Sequence, residues 1–228
     1  MFNNYINEIS AFHKLSKDEK VQYLYSKLSI LGYLPAIQTY NSVFGKGNNI
    51  IAFLPFDNSA SNTILSAHYD GESLFDNSGG VFALLEVASR FMKKGINKNI
   101  CILLTDQEET FQQGVAYFIK EYEPSIQSYN INIDGFGIGD EIYSMCENVF
   151  RNSKNDFFKT DMHKFKEYGI NGNSYFSSFI KDYNEINITD KSIKDIYTPY
   201  ADEKFYKKSF NISTYSKTID SLCEIIYA

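Results

Sequence analysis

Four short segments of the sequence carry the residue types best suited to metal chemistry. They combine one histidine with several carboxylates, and they are His68-Tyr69-Asp70, 76–80 (DNSGG), 106–109 (DQEE) and 132–135 (NIDG). Zinc takes imidazole nitrogen and carboxylate oxygen, with about four ligands per ion. Each segment alone is more typical of a turn or a helix start. Because all four follow predicted strands or begin a predicted helix, their conjunction indicates a metal site.

The spacing within these segments suggests how the work is divided. Asp76 lies just before a helix start, where glycines fix the backbone, and two ions roughly 3.5–4 Å apart need such a carboxylate to bridge them. Asp70 follows His68 by two residues and can accept the second imidazole N–H. Glu108 and Glu109 are neighbours, so one can bind metal while the other takes the proton of a metal-bound water. The residues alone do not name the reaction.

The elements that must position these segments follow from local patterns. Ser16 and Glu19 form a capping box, which predicts a helix that runs to about Gly32. The stretch 100–104 (ICILL) is apolar throughout and predicts a parallel strand that is buried on both faces. Further strands are predicted over 49–55, 63–67 and 130–133, and further helices over 78–94, 114–122 and 212–226.

This alternation predicts an α/β fold with a single domain over residues 1–228. We expect a three-layer sandwich, with a mixed, mostly parallel central sheet and helices on both faces. In such sheets the functional site lies beyond the carboxyl ends of the strands, where the four segments fall.

Composition argues against nucleic acid as a partner and against cysteine-based sites. The chain has 228 residues with 22 basic and 28 acidic side chains, and this net charge of −6 argues against nucleic acid. Its three cysteines are scattered, at 101, 146 and 223, which argues against a disulfide framework and against a thiolate zinc site.

No apolar run approaches the roughly 20 residues that span a membrane. Residues 1–15 lack a signal-peptide pattern, so we expect a cytoplasmic protein, although a secreted form without its signal would look the same.

Taken together, the four segments resemble the co-catalytic zinc aminopeptidase family. That family includes bacterial leucyl aminopeptidases and aminopeptidase Y, and glutaminyl cyclases are its relatives. The resemblance is strongest from Asn62 to Gly139, where the run DNSGGVFALLEVASR precedes a buried strand and a Glu-Glu pair. Residues 160–170 are a weaker match to a later Ser-Asp-His segment of the family.

The resemblance implies a set of zinc ligands, position by position. His68 and Asp134 would hold one zinc, Glu109 would bind a second, and Asp76 would bridge the two ions. The cofactor is therefore expected to be zinc, as one or two ions, although oxygen-rich sites also take manganese or cobalt.

The resemblance also implies a reaction. Glu108 would act as general base and acid, and Asp70 would orient the imidazole of His68. The expected activity is that of a zinc-dependent aminopeptidase, in which a zinc-activated water hydrolyses the N-terminal bond of a peptide or an aminoacyl small molecule.

One expected ligand is missing. The family has a last histidine near its C-terminus, whereas this chain has only His13, His68 and His163. In the preferred register Tyr197 stands at that position, within 196–199 (IYTP), and a second register places Ser213 there. A tyrosine phenol has an ordinary pKa near 10 and must lose its proton to bind zinc well. The Thr-Asp-Met-His context of His163 indicates a supporting or structural role instead.

Three hypotheses remain open at this point. The chain is an active hydrolase with one or two zinc ions, a mononuclear enzyme such as a glutaminyl cyclase-like acyl transferase, or a binding protein that kept the fold and lost turnover. The retained Glu108 favours the hydrolase, and the missing histidine favours the binding protein. The cyclase reading needs the same missing histidine.

Overall fold

The computed structural model of the protein describes residues 2–54, 63–95, 99–139, 141–145, 160–178 and 203–227. The helices are α1 (Phe2–His13), α2 (Lys17–Ile30), α3 (Gly80–Lys94), α4 (Gln113–Tyr122), α5 (Asp161–Glu167), α6 (Glu203–Ser209) and α7 (Ile212–Tyr227). The strands are β1 (Ala36–Ser42), β2 (Gly45–Leu54), β3 (Thr63–His68), β4 (Ile100–Thr105), β5 (Tyr129–Ile133), β6 (Glu141–Met145) and β7 (Asn171–Ser178). A π-helical segment, Leu74–Gly79, precedes α3. Tyr197 and Cys146 lie outside the described residues.

The strands form one seven-stranded sheet in the order β1-β2-β4-β3-β5-β7-β6. The four strands β4, β3, β5 and β7 are parallel to one another. The remaining three, β1, β2 and β6, run antiparallel to their neighbours. His68 is paired with Thr105 in the register of β3 and β4, so the carboxyl ends of these two strands are level. This confirms the predicted mixed sheet with a parallel centre.

Two apolar cores cover the two faces of the sheet, which confirms the three layers. Successive side chains of a strand point to opposite faces. Accordingly, Ile100, Ile102 and Leu104 belong to the larger core, which is packed by α1, α2, α3 and α7. Cys101 and Leu103 belong to the smaller core, which is packed by α4 and α5.

The start of α3 differs from its prediction. The helix was expected from Ser78, but it begins at Gly80 because the chain first makes the π-helical segment. A Cβ atom on Gly79 would collide with the carbonyl oxygen of Phe136, and one on Gly80 with that of Asp134. The two glycines therefore let the helix start pack directly on the backbone that follows β5.

The start of α2 follows its prediction. The Glu19 carboxylate accepts a hydrogen bond from the backbone N–H of Ser16 at 2.9 Å, and the helix begins at Lys17. Within the described ranges, no helix is long and apolar enough to cross a membrane.

Candidate metal centre

The predicted site residues meet at the carboxyl edge of the parallel strands. His68 is the last residue of β3, and Asp134 directly follows β5. Glu108 lies three residues beyond the end of β4, and Asp76 lies in the π-helical segment before α3. Because the parallel strands end at one edge, segments that are far apart in sequence share one location.

His68 lies at the centre of this arrangement, and its side chain is buried. Its Nε2 atom is 3.7 Å from Oδ2 of Asp76. Its Nδ1 atom is 3.5 Å from Oδ1 of Asp70 and 3.9 Å from Oε2 of Glu108. One nitrogen thus faces a predicted ligand, and the other faces the carboxylate that was predicted to orient the ring.

The described residues contain two groups whose donor atoms are close enough to share a metal ion. His68, Asp76 and Asp134 form one group, and His68, Glu108 and Glu109 form the other. Within each group the ligand atoms all lie within 4.8 Å of one another. The structure therefore brings together four of the five predicted ligands, and Tyr197 stays a prediction.

Asp134 provides a test of whether a cation fits the site. Its Oδ1 accepts a hydrogen bond from Nδ2 of Asn132 at 2.7 Å. Its Oδ2 is buried and has no hydrogen-bond partner among the residues that the structure describes. A buried acceptor without a partner costs about 1–3 kcal/mol. A divalent cation would satisfy this oxygen, and the imidazole and carboxylates around it are zinc ligands, so the donor set fits the metal.

Asp70 fixes the loop that carries the two glutamates. Its Oδ1 accepts a hydrogen bond from the backbone N–H of Glu108 at 3.1 Å, and its Oδ2 accepts one from Glu109 at 3.2 Å. Asp70 therefore connects the end of β3 to the loop after β4, in addition to facing His68.

The electrostatics of the site reflect burial and crowding of like charges. Burial raises the pKa of Glu108 well above its ordinary value, and nearby His68 offsets only part of this rise. Burial and the Asp76 charge raise the pKa of Asp134 to about 7. For His68 burial lowers the pKa, but Glu108 and the two aspartates outweigh it and raise the pKa well above its usual range. A raised pKa means that these carboxyl groups hold their protons more tightly. A bound cation would displace those protons and lower the pKa of each carboxyl group.

The comparisons with known proteins agree with this geometry. Residues 49–156 match Peptidase family M28. The match covers a little under half of the chain and contains His68, Asp76, the glutamate pair and Asp134. It supports a relationship to the M28 superfamily, but it does not assign the leucyl aminopeptidase or aminopeptidase Y type. No curated protein is similar enough in sequence to count as a match.

Solved structures share the fold over nearly the whole chain. A Zn-dependent exopeptidase from Parabacteroides distasonis is 19% identical with a TM-score of 0.69, and the alignment covers 98% of this chain and 96% of that one. Porphyromonas gingivalis glutaminyl cyclase is 15% identical, also with a TM-score of 0.69, over 98% and 95% of the two chains. An Acidobacteriales bacterium glutaminyl cyclase is 12% identical with a TM-score of 0.71, over 98% and 91%. At these identities the likeness shows the fold alone.

Asp161 is a buried carboxylate at the site that the sequence analysis did not single out. It is the first residue of α5, and its Oδ2 accepts a hydrogen bond from Oγ1 of Thr105 at 2.5 Å. Its Oδ1 has no partner within the described part of the chain. Burial raises its pKa to about 6, and its charge in turn raises the pKa of Glu108. The weak Ser-Asp-His resemblance over 160–170 is the signal that points to it.

The other candidate residues lie outside the two ligand groups. Nδ1 of His163 accepts the backbone N–H of Thr160 at 3.0 Å, so this ring caps α5, as expected of a structural histidine. Nδ1 of His13, the last residue of α1, lies 3.1 Å from Oγ of Ser78, so this half-buried ring contacts the π-helical segment. Ser213 is exposed at the start of α7.

Proposed function

We propose that this protein is a zinc-dependent aminopeptidase that hydrolyses the N-terminal bond of a peptide. The observation that carries the proposal is the position of Glu108, a buried carboxylate beside the predicted metal ligands. Its Oε2 lies 3.9 Å from Nδ1 of His68, and it belongs to one of the two groups that can hold an ion. The M28 match also supports a metal-dependent, peptidase-like function.

The ligand roles combine the first group with the resemblance to the zinc aminopeptidases. His68, Asp76 and Asp134 would hold one zinc ion. The resemblance assigns a second ion to Glu109, with Asp76 shared between the two. Bound there, zinc would polarise the substrate carbonyl and lower the pKa of water to about 7.

The chain's own residues supply the proton transfers and the orientation. The Glu108 carboxylate accepts the proton of the attacking water and passes it to the nitrogen of the leaving amine. Asp70 holds the backbone of both glutamates, which keeps the base in place. The surplus of carboxylates complements the ammonium group of a peptide N-terminus.

Glutaminyl cyclisation is the second candidate, because several of the similar folds carry the name glutaminyl cyclase. In that reaction the α-amine of an N-terminal glutamine attacks its own side-chain amide, and ammonia leaves. A binding protein without turnover remains the third candidate, since the expected last histidine is absent from the sequence.

One experiment separates these candidates. The protein is purified without added metal, its zinc content is measured by elemental analysis, and the peptides Leu-Ala and Gln-Ala are incubated with it and analysed by mass spectrometry. Hydrolysis adds one water across the products, whereas cyclisation of Gln-Ala removes one ammonia. We expect bound zinc and hydrolysis of both peptides, with Glu108→Gln retaining zinc and losing turnover. Absence of zinc and of turnover, even after zinc is supplied, would leave only the binding protein.

A further inference from the structure

Three apolar side chains are exposed together beside the candidate metal centre. We call Val43, Phe44 and Phe111 the apolar ledge. Their exposed fractions are 91%, 47% and 69%, although burial of such side chains normally stabilises a fold. The rings of Phe44 and Phe111 are stacked, with centroids 5.7 Å apart.

Phe111 lies on the same loop tip as a predicted metal ligand. Three backbone hydrogen bonds close the loop between β4 and α4, joining 106 to 114, 107 to 113 and 108 to 112. These leave Glu109, Thr110 and Phe111 as the tip. Two residues of extended chain span about 7 Å at most, so the backbones of Glu109 and Phe111 are no farther apart than the length of a bound dipeptide.

The β1–β2 hairpin brings the other two side chains to the same place. Because β2 runs antiparallel to β4, the hairpin tip lies at the edge where β4 ends. Ser42 donates its hydroxyl to Oε1 of Gln107 at 2.8 Å, and Nε2 of Gln107 donates to the carbonyl oxygen of Gly45 at 3.2 Å. The hairpin is thus attached to the residue that precedes Glu108.

The local backbone gives no folding reason for these residue types. Phe111 has a φ of +66°, in the left-handed region that is uncommon for a bulky side chain. Hairpin tips are normally occupied by glycine, asparagine or aspartate and not by Val-Phe. Contiguous exposed apolar groups beside a site are typical of ligand contact.

We propose that the apolar ledge binds the side chain of the second residue of a peptide substrate and gives the protein a preference for an apolar residue there. The inference rests on the proposed function in taking a peptide as substrate. The N-terminal ammonium belongs among the buried carboxylates, so the rest of the peptide leaves toward the exposed rim, where the ledge begins. Hydrolysis and cyclisation both keep the N-terminal residue innermost, so the inference holds for either reaction.

The test measures binding separately from turnover. Glu108→Gln protein loaded with zinc is titrated with the dipeptides Ala-Phe and Ala-Ser by calorimetry, alone and combined with Phe111→Asn or Phe44→Asn. Asparagine is chosen because it tolerates the left-handed conformation and turns. The matched control is Ile126→Asn, which changes an exposed apolar residue that precedes β5, at the opposite edge of the sheet.

We expect Ala-Phe to bind about tenfold more tightly than Ala-Ser, in line with the discrimination that one apolar contact surface supplies. Each ledge variant should reduce this ratio several-fold, and Ile126→Asn should leave it unchanged. In otherwise wild-type protein, Phe111→Asn should raise KM for Ala-Phe with little change in kcat.

The outcomes separate this inference from the proposed reaction. A preference for Ala-Phe without any turnover would support the ledge and refute the reaction. Turnover with equal binding of the two dipeptides, or a preference that survives both ledge variants, would overturn the ledge alone. A change of oligomeric state in Phe111→Asn without a change in preference would show that a second copy of the chain occupies the ledge, which also overturns the proposal. Binding of neither dipeptide would overturn both proposals.

Discussion

The carboxyl edge of the sheet and the face covered by α1, α3 and α7 differ in how their buried polar groups are paired. Two buried phenols of the larger core have hydrogen-bond partners: the hydroxyl of Tyr33 donates to the Ala88 carbonyl at 3.0 Å, and that of Tyr206 to the Phe136 carbonyl at 2.9 Å. At the edge, Asp134 and Asp161 each keep a buried oxygen without a partner in the described structure.

This difference separates the residues that hold the fold from those that would do chemistry. Satisfied hydrogen bonds and apolar burial contribute stability, whereas crowded, unpaired carboxylates cost it. Sites that break the packing rules in this way are expected where function requires them. Substitutions at the edge should therefore change activity more than stability, and substitutions in the covered face should do the reverse.

The largest effect is expected at the edge, from Glu108→Gln. Removing a general base typically lowers kcat by about 10²–10⁴-fold. The melting temperature should hardly fall, because the change removes a buried charge without removing volume. Steady-state kinetics and thermal melts on the same preparation test this, and a fall in activity that merely followed a fall in folded protein would contradict it.

The converse substitution is Phe91→Ala in α3. Phe91 is fully buried, and its ring lies 5.2 Å from that of Tyr227. The cavity should lower the free energy of unfolding by about 3–5 kcal/mol. Urea unfolding measures this, and kcat per folded molecule should remain that of the wild type. A lower kcat per folded molecule would contradict the claim that the covered face stabilises the fold without taking part in the reaction.

Asp134→Asn should show how much the metal-free site lowers the free energy of unfolding. The pKa of Asp134 is raised to about 7 in the folded protein, so the folded state holds a proton that the unfolded state releases at lower pH. The metal-free wild type therefore loses stability as the pH rises from about 4 to about 7. The variant lacks this loss and should be more stable at pH 8 by on the order of 1–3 kcal/mol.

The measurement is urea unfolding of both metal-free proteins at pH 5 and pH 8. At pH 5 the two should differ less than at pH 8. Added zinc should stabilise the wild type more than the variant, because ligand binding to the folded state raises its stability. If zinc stabilised both proteins equally, the result would contradict the role of Asp134 as a metal ligand.

The smallest effect is expected far from the site, from Glu8→Gln. Burial alone would raise the pKa of Glu8, but hydrogen bonds from Lys27 and Tyr23 outweigh it and lower the pKa. A lowered pKa gives stability that is present above the unfolded pKa and is lost as the pH falls through the folded one. The variant should lose about 0.2–1 kcal/mol at pH 7 and less near pH 3. Glu224→Gln, on the exposed side of α7, is the matched control substitution.

The sequence predicted most where the signals were local. The capping box at Ser16 and the apolar run at 100–104 fix their elements through contacts within a few residues, and both predictions are confirmed. The meeting of His68 with Glu108 followed from topology, because parallel strands end at one edge.

Elements that depend on distant partners were not predicted. The strand β7 has the mixed sequence NGNSYFSS, without the alternation typical of a strand, and its place is fixed by backbone pairing with β5 and β6. The helix α5 has only seven residues, and packing against β7 and β5 brings Asp161 to the site. Likewise, nothing in the pair Glu108-Glu109 told which side chain is buried; the structure buries Glu108 and exposes Glu109.

The contact of Gly79 and Gly80 with the backbone after β5 has a consequence for how such a site can diversify. The spacing between Asp76 and Asp134 is set there by main chain against main chain, with no side chain between to repack. Side chains that project from this fixed frame without binding metal, such as those of the hairpin tip and Phe111, can be exchanged without disturbing that spacing. In a scaffold of this kind the residues that choose the substrate and the residues that carry out the reaction lie on different segments. The substrate preference can therefore be redesigned one loop at a time.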